Sequence, residues 1–477
     1  MKAVFSNYLN SLADGLHVMI DDLMKDYDYV SVLATDSSGL QVNVSQKQES
    51  VGTKSITTER GIVVRVHVGG HYSEYALNHF DPANPHAAAE EIRAGLTLQE
   101  ELMGETNTSF YQTDILPDKP CTLYWEAVTG EMPEKCDLER VIRTLKECSD
   151  DAMKASPYSV EAMTRMSSNH INKMFLTKNR DMRQSYVYTE AVLTPVVSKD
   201  GRTENGYKAV SGMKGPEIVG ELKKLVNDGV RQAEEILFAD RIVPGEYEII
   251  TSPEVSGLIA HEAFGHGVEM DMFVKHRALG ADYIGKRVGS DLVTMHEGAK
   301  CAENVTSYVF DDEGVLAGDV TEIQNGILQT GICDSLSALR LGITPTGNGK
   351  RQNYEHKAYT RMTNTLFDFG KDSVEDMIAS VSHGYLLEGM QSGMEDPKHW
   401  GIQCILTLGK EIKDGKLTGK VVSPVIMTGY VPDLLGNITM ASKSGAVFGS
   451  GTCGKGYKEY VKVADGGPYL KTKGRLG

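Results

Sequence analysis

Cysteine and aromatic residues are sparse in this chain of 477 residues, which has only 7 cysteines and 2 tryptophans. The cysteine number is odd and no two cysteines stand in a CxxC pair, so a disulfide framework is not expected. In a chain of this length a hydrophobic core suffices for folding, so most thiols should be reduced, buried fillers. One of them remains a candidate metal ligand.

The chain also lacks an excess of positive charge. It has 65 acidic against 49 basic residues, a formal net charge of -16, and such a surface repels phosphate backbones and anionic lipid. No apolar run is long enough for a spanning helix, and the segment from Met1 to Asn7 does not resemble a signal peptide. These features predict a cytoplasmic protein with neither nucleic acid nor membrane as a partner.

Glycine is abundant, with 49 residues, and the length predicts two or three domains. The order of apolar patterns predicts an α+β fold in three parts. These parts are an N-terminal α+β domain over 1–105, a middle α+β domain over 106–240 and a β-rich C-terminal domain over 241–477.

Apolar spacing near the helical period predicts an opening helix from Phe5 to Met24. Alternating β-branched segments then predict strands over Tyr29–Ala34, Leu40–Val44 and Ile62–Val68, with a turn at Ser38–Gly39 between the first two. Pro85 is expected to begin a second helix.

A polar stretch around Thr106–Thr113 predicts a linker before the middle part. The patterns that follow it predict a helix over Asp137–Met153, a strand over Gln184–Tyr188 and a long helix over Pro216–Phe238. From Arg241 onward, short apolar alternations predict mainly strands.

The segment most indicative of chemistry is His261-Glu262-Ala263-Phe264-Gly265-His266. It lies on a helix that Thr251 or Ser252 is expected to cap and Pro253 to open. Two imidazoles and an adjacent carboxylate are what a catalytic zinc ion requires: nitrogen ligands, and a base for the water that attacks the substrate.

The two histidines are five residues apart, whereas zinc proteases commonly space them by four. On a regular helix, five residues separate the side chains by about 140°. Both can face one ion only if the helix distorts, by a π-bulge or an unwound turn, which Gly265 and Gly267 would permit. The spacing alone favours two unrelated histidines on a surface or core helix over a zinc site.

A third ligand is also needed. Local candidates are Glu269, Asp271 and His276, and the remote candidate is Cys453, in a glycine-rich segment where Lys455 would favour the thiolate. A small core cysteine in a turn is the competing interpretation.

The chain resembles the TldD/PmbA family of metalloproteases, and within it the metal-bearing TldD side. The resemblance rests on motifs in the family's order, namely His261–Gly267, Phe310–Gly314, Thr346–Asn348, Arg361–Thr365 and Cys453–Lys455. It implies that His261, His266 and Cys453 bind zinc (Zn2+) and that Glu262 is the general base.

The resemblance further implies a protease acting on unfolded or extended peptides, assembled as a homodimer or as a heterodimer with a PmbA-like homologue. Main-chain hydrogen bonding to an edge strand would select extended substrates. Arg361 and Asn364 are candidates for lining the substrate cleft. For Arg361 the alternative is a buried ion-pair partner. The rival functions are a non-catalytic partner subunit and a redox or zinc sensor that uses Cys453.

Overall fold

The computed structural model of the chain describes residues 1–53, 59–105, 111–457 and 459–477. The linker predicted around Thr106–Thr113 lies largely outside the described residues. The α-helices are α1 (Asn7–Leu23), α2 (Pro85–Glu105), α3 (Leu138–Lys154), α4 (Val226–Leu237), α5 (Pro253–Ala260), α6 (Asp271–Val274), α7 (Ser335–Leu341), α8 (Val374–Ala379) and α9 (Val431–Gly436). None of the described helices is both long and apolar enough to cross a membrane.

The first half of the chain builds one nine-stranded sheet in the order β4-β3-β1-β6-β7-β5, with β2 beside β1, and β8 and β9 beside β7. Its strands are β1 (Tyr29–Val44), β2 (Glu49–Gly52), β3 (Glu59–Val68), β4 (His71–Leu77), β5 (Cys121–Glu126), β6 (Ser159–Thr177), β7 (Arg180–Lys199), β8 (Arg202–Asn205) and β9 (Lys208–Gly212).

Strands from both sides of residue 106 lie in this sheet, because β1 pairs with β6. This pairing does not establish separate domains on the two sides of residue 105. The predicted domain boundaries at residues 105 and 240 stay a prediction.

The predicted turn at Ser38–Gly39 is wrong. Ser38 pairs with His170 and Gly39 with Asn169, so β1 continues through both residues as one strand. The turn signal was overridden because β6 supplies a continuous partner along this segment.

Other local predictions are confirmed. The opening helix is α1, capped by the Ser6 side chain, and α3 begins after Asp137, whose side chain caps it. The helix predicted over Pro216–Phe238 is divided, because Pro216–Leu225 forms a 3-10 helix and only α4 is α-helical.

The second half is β-rich, which confirms the predicted α+β class. An eleven-stranded sheet runs β10-β17-β18-β20-β24-β16-β11-β12-β13, with β19 beside β18 and β21 beside β24. Its strands are β10 (Gly245–Thr251), β11 (Met295–Glu297), β12 (Val320–Gln324), β13 (Ile327–Leu328), β16 (Asn364–Phe367), β17 (His383–Glu395), β18 (Gly401–Lys413), β19 (Lys416–Val422), β20 (Val425–Tyr430), β21 (Met440–Phe448) and β24 (Ala464–Leu476).

Two small antiparallel pairs complete the fold: β14 (Gly349–Lys350) with β15 (Tyr359–Thr360), and β22 (Thr452–Lys455) with β23 (Glu459–Lys462). The largest hydrophobic core packs α5 against the eleven-stranded sheet. We call β22 and β23 the cysteine hairpin, because β22 carries Cys453.

The segment Phe310–Gly314 joins the two halves. Glu313 accepts a hydrogen bond from Arg65 of β3 at 2.5 Å, and Asp312 is ion-paired with Lys173 of β6. Gly314 has φ of 74°, and a Cβ atom there would lie 2.3 Å from the Phe175 ring. This motif therefore contributes to the interface between the two halves of the chain.

Candidate metal centre

A single turn of π-helix separates the two histidines of the sequence motif. α5 ends at Ala260, His261–Gly265 forms the π-turn, and the His266 backbone N–H donates to the His261 carbonyl. This hydrogen bond spans five residues and brings the two side chains onto one face, with ring centroids 5.1 Å apart. The distortion expected from the five-residue spacing is confirmed.

Gly265 permits close packing at this turn. A Cβ atom at Gly265 would lie 2.2 Å from the Sδ atom of Met362, so a larger residue would require the Met362 side chain or the π-turn to shift. The absence of a side chain at Gly265 thus allows the π-turn to pack closely against Met362.

The cysteine hairpin brings the third candidate ligand to the two histidines. Cys453 Sγ lies 3.3 Å from His266 Nε2, and one donor atom from each of His261, His266 and Cys453 lies within 4.8 Å of the others. His261 and Cys453 are each 5% exposed. The three residues converge although 187 positions separate His266 from Cys453.

The local candidates for a third ligand take other positions. Glu269 accepts from His266 Nδ1 at 3.0 Å, and Asp271 accepts from Lys455 at 2.8 Å. Neither these two nor His276 belongs to the cluster of ligand atoms found among the described residues. Lys455 donates to Glu269, Asp271 and the Thr360 carbonyl. Its expected effect on the Cys453 thiolate stays a prediction.

The electrostatics of the cluster favour a thiolate. Burial alone would raise the pKa of Cys453, but neighbouring His266 and His261 lower that pKa to about 4. Burial likewise opposes charge on His266, whereas Glu269 and Cys453 raise its pKa. The two histidines therefore favour the thiolate form of Cys453, which is the form that binds metals.

The donor set fits a zinc ion. Two imidazole nitrogens and one thiolate are the ligands that zinc prefers, and three protein ligands leave a fourth position for water or substrate. The hydrogen bond from His266 Nδ1 to Glu269 is the outer contact that commonly orients a metal-bound imidazole.

The cluster opens into a cavity of about 1110 Å³. Glu262, which is 7% exposed, lines this cavity beside His261. A Cβ atom at Gly393 of β17 would lie 2.5 Å from the Cγ atom of Glu262, so β17 and Glu262 are packed as closely as glycine allows.

One margin of the cavity is a strand edge. β10 pairs with β17 in parallel from Gly384 to Leu387, whereas the remainder of β17 pairs on its other side with β18 through Glu395. β10 pairs with β17 only as far as Leu387. Among the described residues, no strand pairs with Met390–Glu395 on that side of β17, and these residues line the cavity.

The sequence did not single out two further acidic residues of the cavity. Both carboxylate oxygens of Glu395 are buried without a hydrogen-bond partner among the described residues, and burial raises its pKa to about 9. Burial also raises the pKa of Asp465 to about 7. Isolated acidic residues carry no sequence signal, and only the fold places these two near the histidines.

Arg361 and Asn364 lie outside this cavity's lining. Arg361 is 1% exposed and donates to the carbonyls of Cys453 at 2.6 Å and Glu459 at 3.2 Å, so it supports the cysteine hairpin. No salt bridge of Arg361 is found among the described residues, so neither of its two expected roles is seen. Asn364 is fully buried and binds the Gly298 carbonyl.

Comparisons with known proteins agree with the site. Residues 244–474 match the family described as the PmbA/TldA metallopeptidase C-terminal domain. A protein of Methanocaldococcus jannaschii named a metalloprotease is 28% identical over 71% of this chain and 74% of its own length. A Saccharolobus solfataricus protein named a zinc metalloprotease TldD homolog is 32% identical over 48% of this chain and 51% of its own.

The fold also has a solved counterpart. The crystal structure of TldE from Thermococcus kodakarensis superposes with a TM-score of 0.79 at 17% identity, covering 97% of this chain and all of that one. At this identity the likeness concerns the fold alone.

Proposed function

The chain belongs to the TldD/PmbA family, and on that premise we propose that it is a zinc-dependent metallopeptidase that hydrolyses extended, unfolded peptides in the cytoplasm. The observation that carries the proposal is the convergence of His261, His266 and Cys453 beside Glu262 in one large cavity. Three ligands with an adjacent carboxylate are the components of a catalytic zinc site.

In this proposal His261, His266 and Cys453 hold the metal, and Glu262 is the general base. A bound zinc ion would supply the Lewis acid that polarises the peptide carbonyl and acidifies water. Glu262 takes the proton from the attacking water and delivers it to the leaving amine. A thiolate ligand donates more charge than an imidazole, which makes the proton transfer by Glu262 more important.

The edge of β17 suits an extended substrate. A peptide laid along Met390–Glu395 would add a strand to the sheet through main-chain hydrogen bonds, which require no particular side chain. Folded proteins do not present such a free segment, so the arrangement favours unfolded chains.

Hydrolysis of an unfolded peptide, followed by mass spectrometry, tests the proposal. The Glu262→Gln variant should retain zinc and lose activity by about 100-fold or more, because a general base contributes 10²–10⁴-fold. Glu246→Gln removes an exposed carboxylate on β10 and should leave activity unchanged. Equal activity of Glu262→Gln and wild type would refute the assigned base.

We also propose a dimer, formed with a second copy or with a PmbA-type homologue, as the family resemblance implies. Light scattering of the chain alone and mixed with such a homologue separates the two forms. If this chain were instead a non-catalytic partner subunit, neither the chain alone nor its mixture with the homologue would bind zinc or cleave a peptide.

A further inference from the structure

A second cavity, of about 430 Å³, lies between the nine-stranded sheet and the second half of the chain. One wall comes from β6 and β7, and the opposite wall comes from the segment 305–312, from 350–352 and from β23. Thr452 of the cysteine hairpin lines both this cavity and the one at the histidines. We call it the interface cavity.

Four cationic side chains line the interface cavity, and three of them are neutralised by carboxylates. Lys173 pairs with Asp312, Arg351 pairs with Glu74, and Lys462 pairs with Glu190.

The fourth cation, Lys350, is different. Its Nζ atom donates to the carbonyls of Met362 at 3.1 Å and Lys462 at 2.8 Å, and it forms no salt bridge with any described carboxylate. Burial, followed by the nearby Arg361, lowers its pKa to about 7. The charges of Glu297 and Asp312 act on Lys350 in the opposite direction, but neither carboxylate pairs with it directly. An anion that enters the cavity would therefore find in Lys350 a partly buried ammonium with no described carboxylate in salt-bridge contact.

Aromatic rings form much of the remaining wall. Tyr186, Tyr188, Tyr308 and Phe310 line the cavity, and each is less than a tenth exposed. Tyr308 is fixed by a hydrogen bond from its hydroxyl to the Gly347 carbonyl at 2.8 Å.

The Phe310 backbone is also held, because its carbonyl accepts from Gln184 of β7 at 2.8 Å. The two walls are thus joined, and the rings are held in place before any ligand arrives. Rigid aromatic walls favour a flat aromatic ligand.

We propose that the interface cavity binds a small aromatic carboxylate, with the carboxylate paired to Lys350 and the ring packed among Tyr186, Tyr308 and Phe310. A volume of about 430 Å³ lies within the usual range for small-molecule sites. Such a ligand would rest against the cysteine hairpin, in which Val461 is the cross-strand neighbour of Cys453.

Isothermal titration of the full chain with 4-hydroxyphenylacetate tests the site. We expect saturable binding that weakens by about tenfold or more in Lys350→Met, because a hydrogen bond to a charged group is lost. The neutral amide of the probe should be weaker by a similar factor. Lys420→Met, which removes an exposed lysine from β19, should bind like wild type.

Carboxylates also bind zinc, so the titration is repeated with the His266→Ala variant. Unchanged affinity there places the probe away from the histidines, and this result does not depend on peptidase activity. Absence of saturable binding, equal affinity for the amide, equal binding by Lys350→Met, or loss of binding in His266→Ala would each overturn the proposal.

If Lys350→Met does not fold, crystals of the wild type soaked with 4-bromophenylacetate decide the question. The anomalous bromine signal should lie among the four aromatic rings, with the carboxylate at Lys350. A bromine signal only in the histidine cavity, or none in either cavity, would contradict the site.

Discussion

The Oε2 atom of Glu269 lies 3.0 Å from His266 Nδ1 and also 3.0 Å from Lys455 Nζ. This one oxygen connects a proposed metal ligand on the helix to the hairpin that carries Cys453. Burial raises the pKa of Glu269, but Lys455 and then His266 lower it to about 2, so the carboxylate remains charged. Glu269 therefore orients His266 and fixes its distance from the cysteine hairpin.

Replacing Glu269 with Gln should weaken zinc binding by about 10–100-fold, because the outer partner of a ligating histidine sets its orientation and basicity. Competition with a chromogenic chelator measures the zinc affinity. Glu246→Gln, an exposed carboxylate of the same type, is the control. An unchanged affinity in Glu269→Gln would show that His266 needs no such support.

Gly393 should be intolerant of a methyl group. Its Cβ atom would lie 2.5 Å from Glu262 Cγ, so Gly393→Ala displaces the proposed base while leaving the ligands in place. We expect kcat to fall by about tenfold or more with zinc content retained. Gly401→Ala on β18 has no atom within 4 Å of its new Cβ and should be neutral. Full activity of Gly393→Ala would mean that Glu262 tolerates movement or is not the base.

The contact between the two halves of the chain rests on a buried cation. Arg65 donates to Glu313 at 2.5 Å and to Glu74 at 2.7 Å, and the Arg65 side chain is 8% exposed. Arg65→Met leaves the buried Glu313 and the partly exposed Glu74 without this partner and should cost about 3–5 kcal/mol of unfolding free energy.

Arg60→Met, on the same strand, breaks an exposed pair with Asp36 and should cost about 1 kcal/mol or less. Urea denaturation of both variants measures the difference. Equal costs would contradict a special role for Arg65.

Acid should destabilise the same contact. Burial opposes ionisation of Glu74, but Arg65 and Arg351 lower its pKa from 4.5 to about 2. Since the pKa is lower in the folded state, this stabilisation is complete above pH 4.5 and is lost as the pH falls towards 2. The full effect is on the order of 3 kcal/mol.

The free energy of unfolding, measured by denaturation between pH 6 and pH 2, should therefore decrease less steeply with falling pH in Glu74→Gln than in wild type. A variant that loses stability with acid as steeply as wild type would contradict the assignment to Glu74.

The helix distortion could be predicted from sequence because the five-residue spacing of His261 and His266 leaves few geometries that serve one ion. The convergence of Cys453 could not be derived from spacing, since the hairpin's position depends on distant contacts such as Arg361 with the Cys453 carbonyl. The glycine-rich segment made Cys453 one candidate among four, and the family resemblance implied that it is the ligand.

Other features depend on pairings that no local pattern encodes. Ser38 and Gly39 have turn propensity, yet β6 keeps them in a strand. The ion pairs of Lys455 with Glu269 and Asp271 likewise join segments that lie far apart in the sequence. The interface cavity arises only where residues from both halves meet.

The central claim is that His261, His266 and Cys453 together hold a zinc ion. Elemental mass spectrometry of the purified wild type beside His266→Ala and Cys453→Ala tests it directly, with Cys148→Ala as a buried cysteine control from α3. The account predicts about one zinc per chain in wild type and control, and loss of zinc in both ligand variants. Zinc absent from the wild type, or retained by Cys453→Ala, would contradict it.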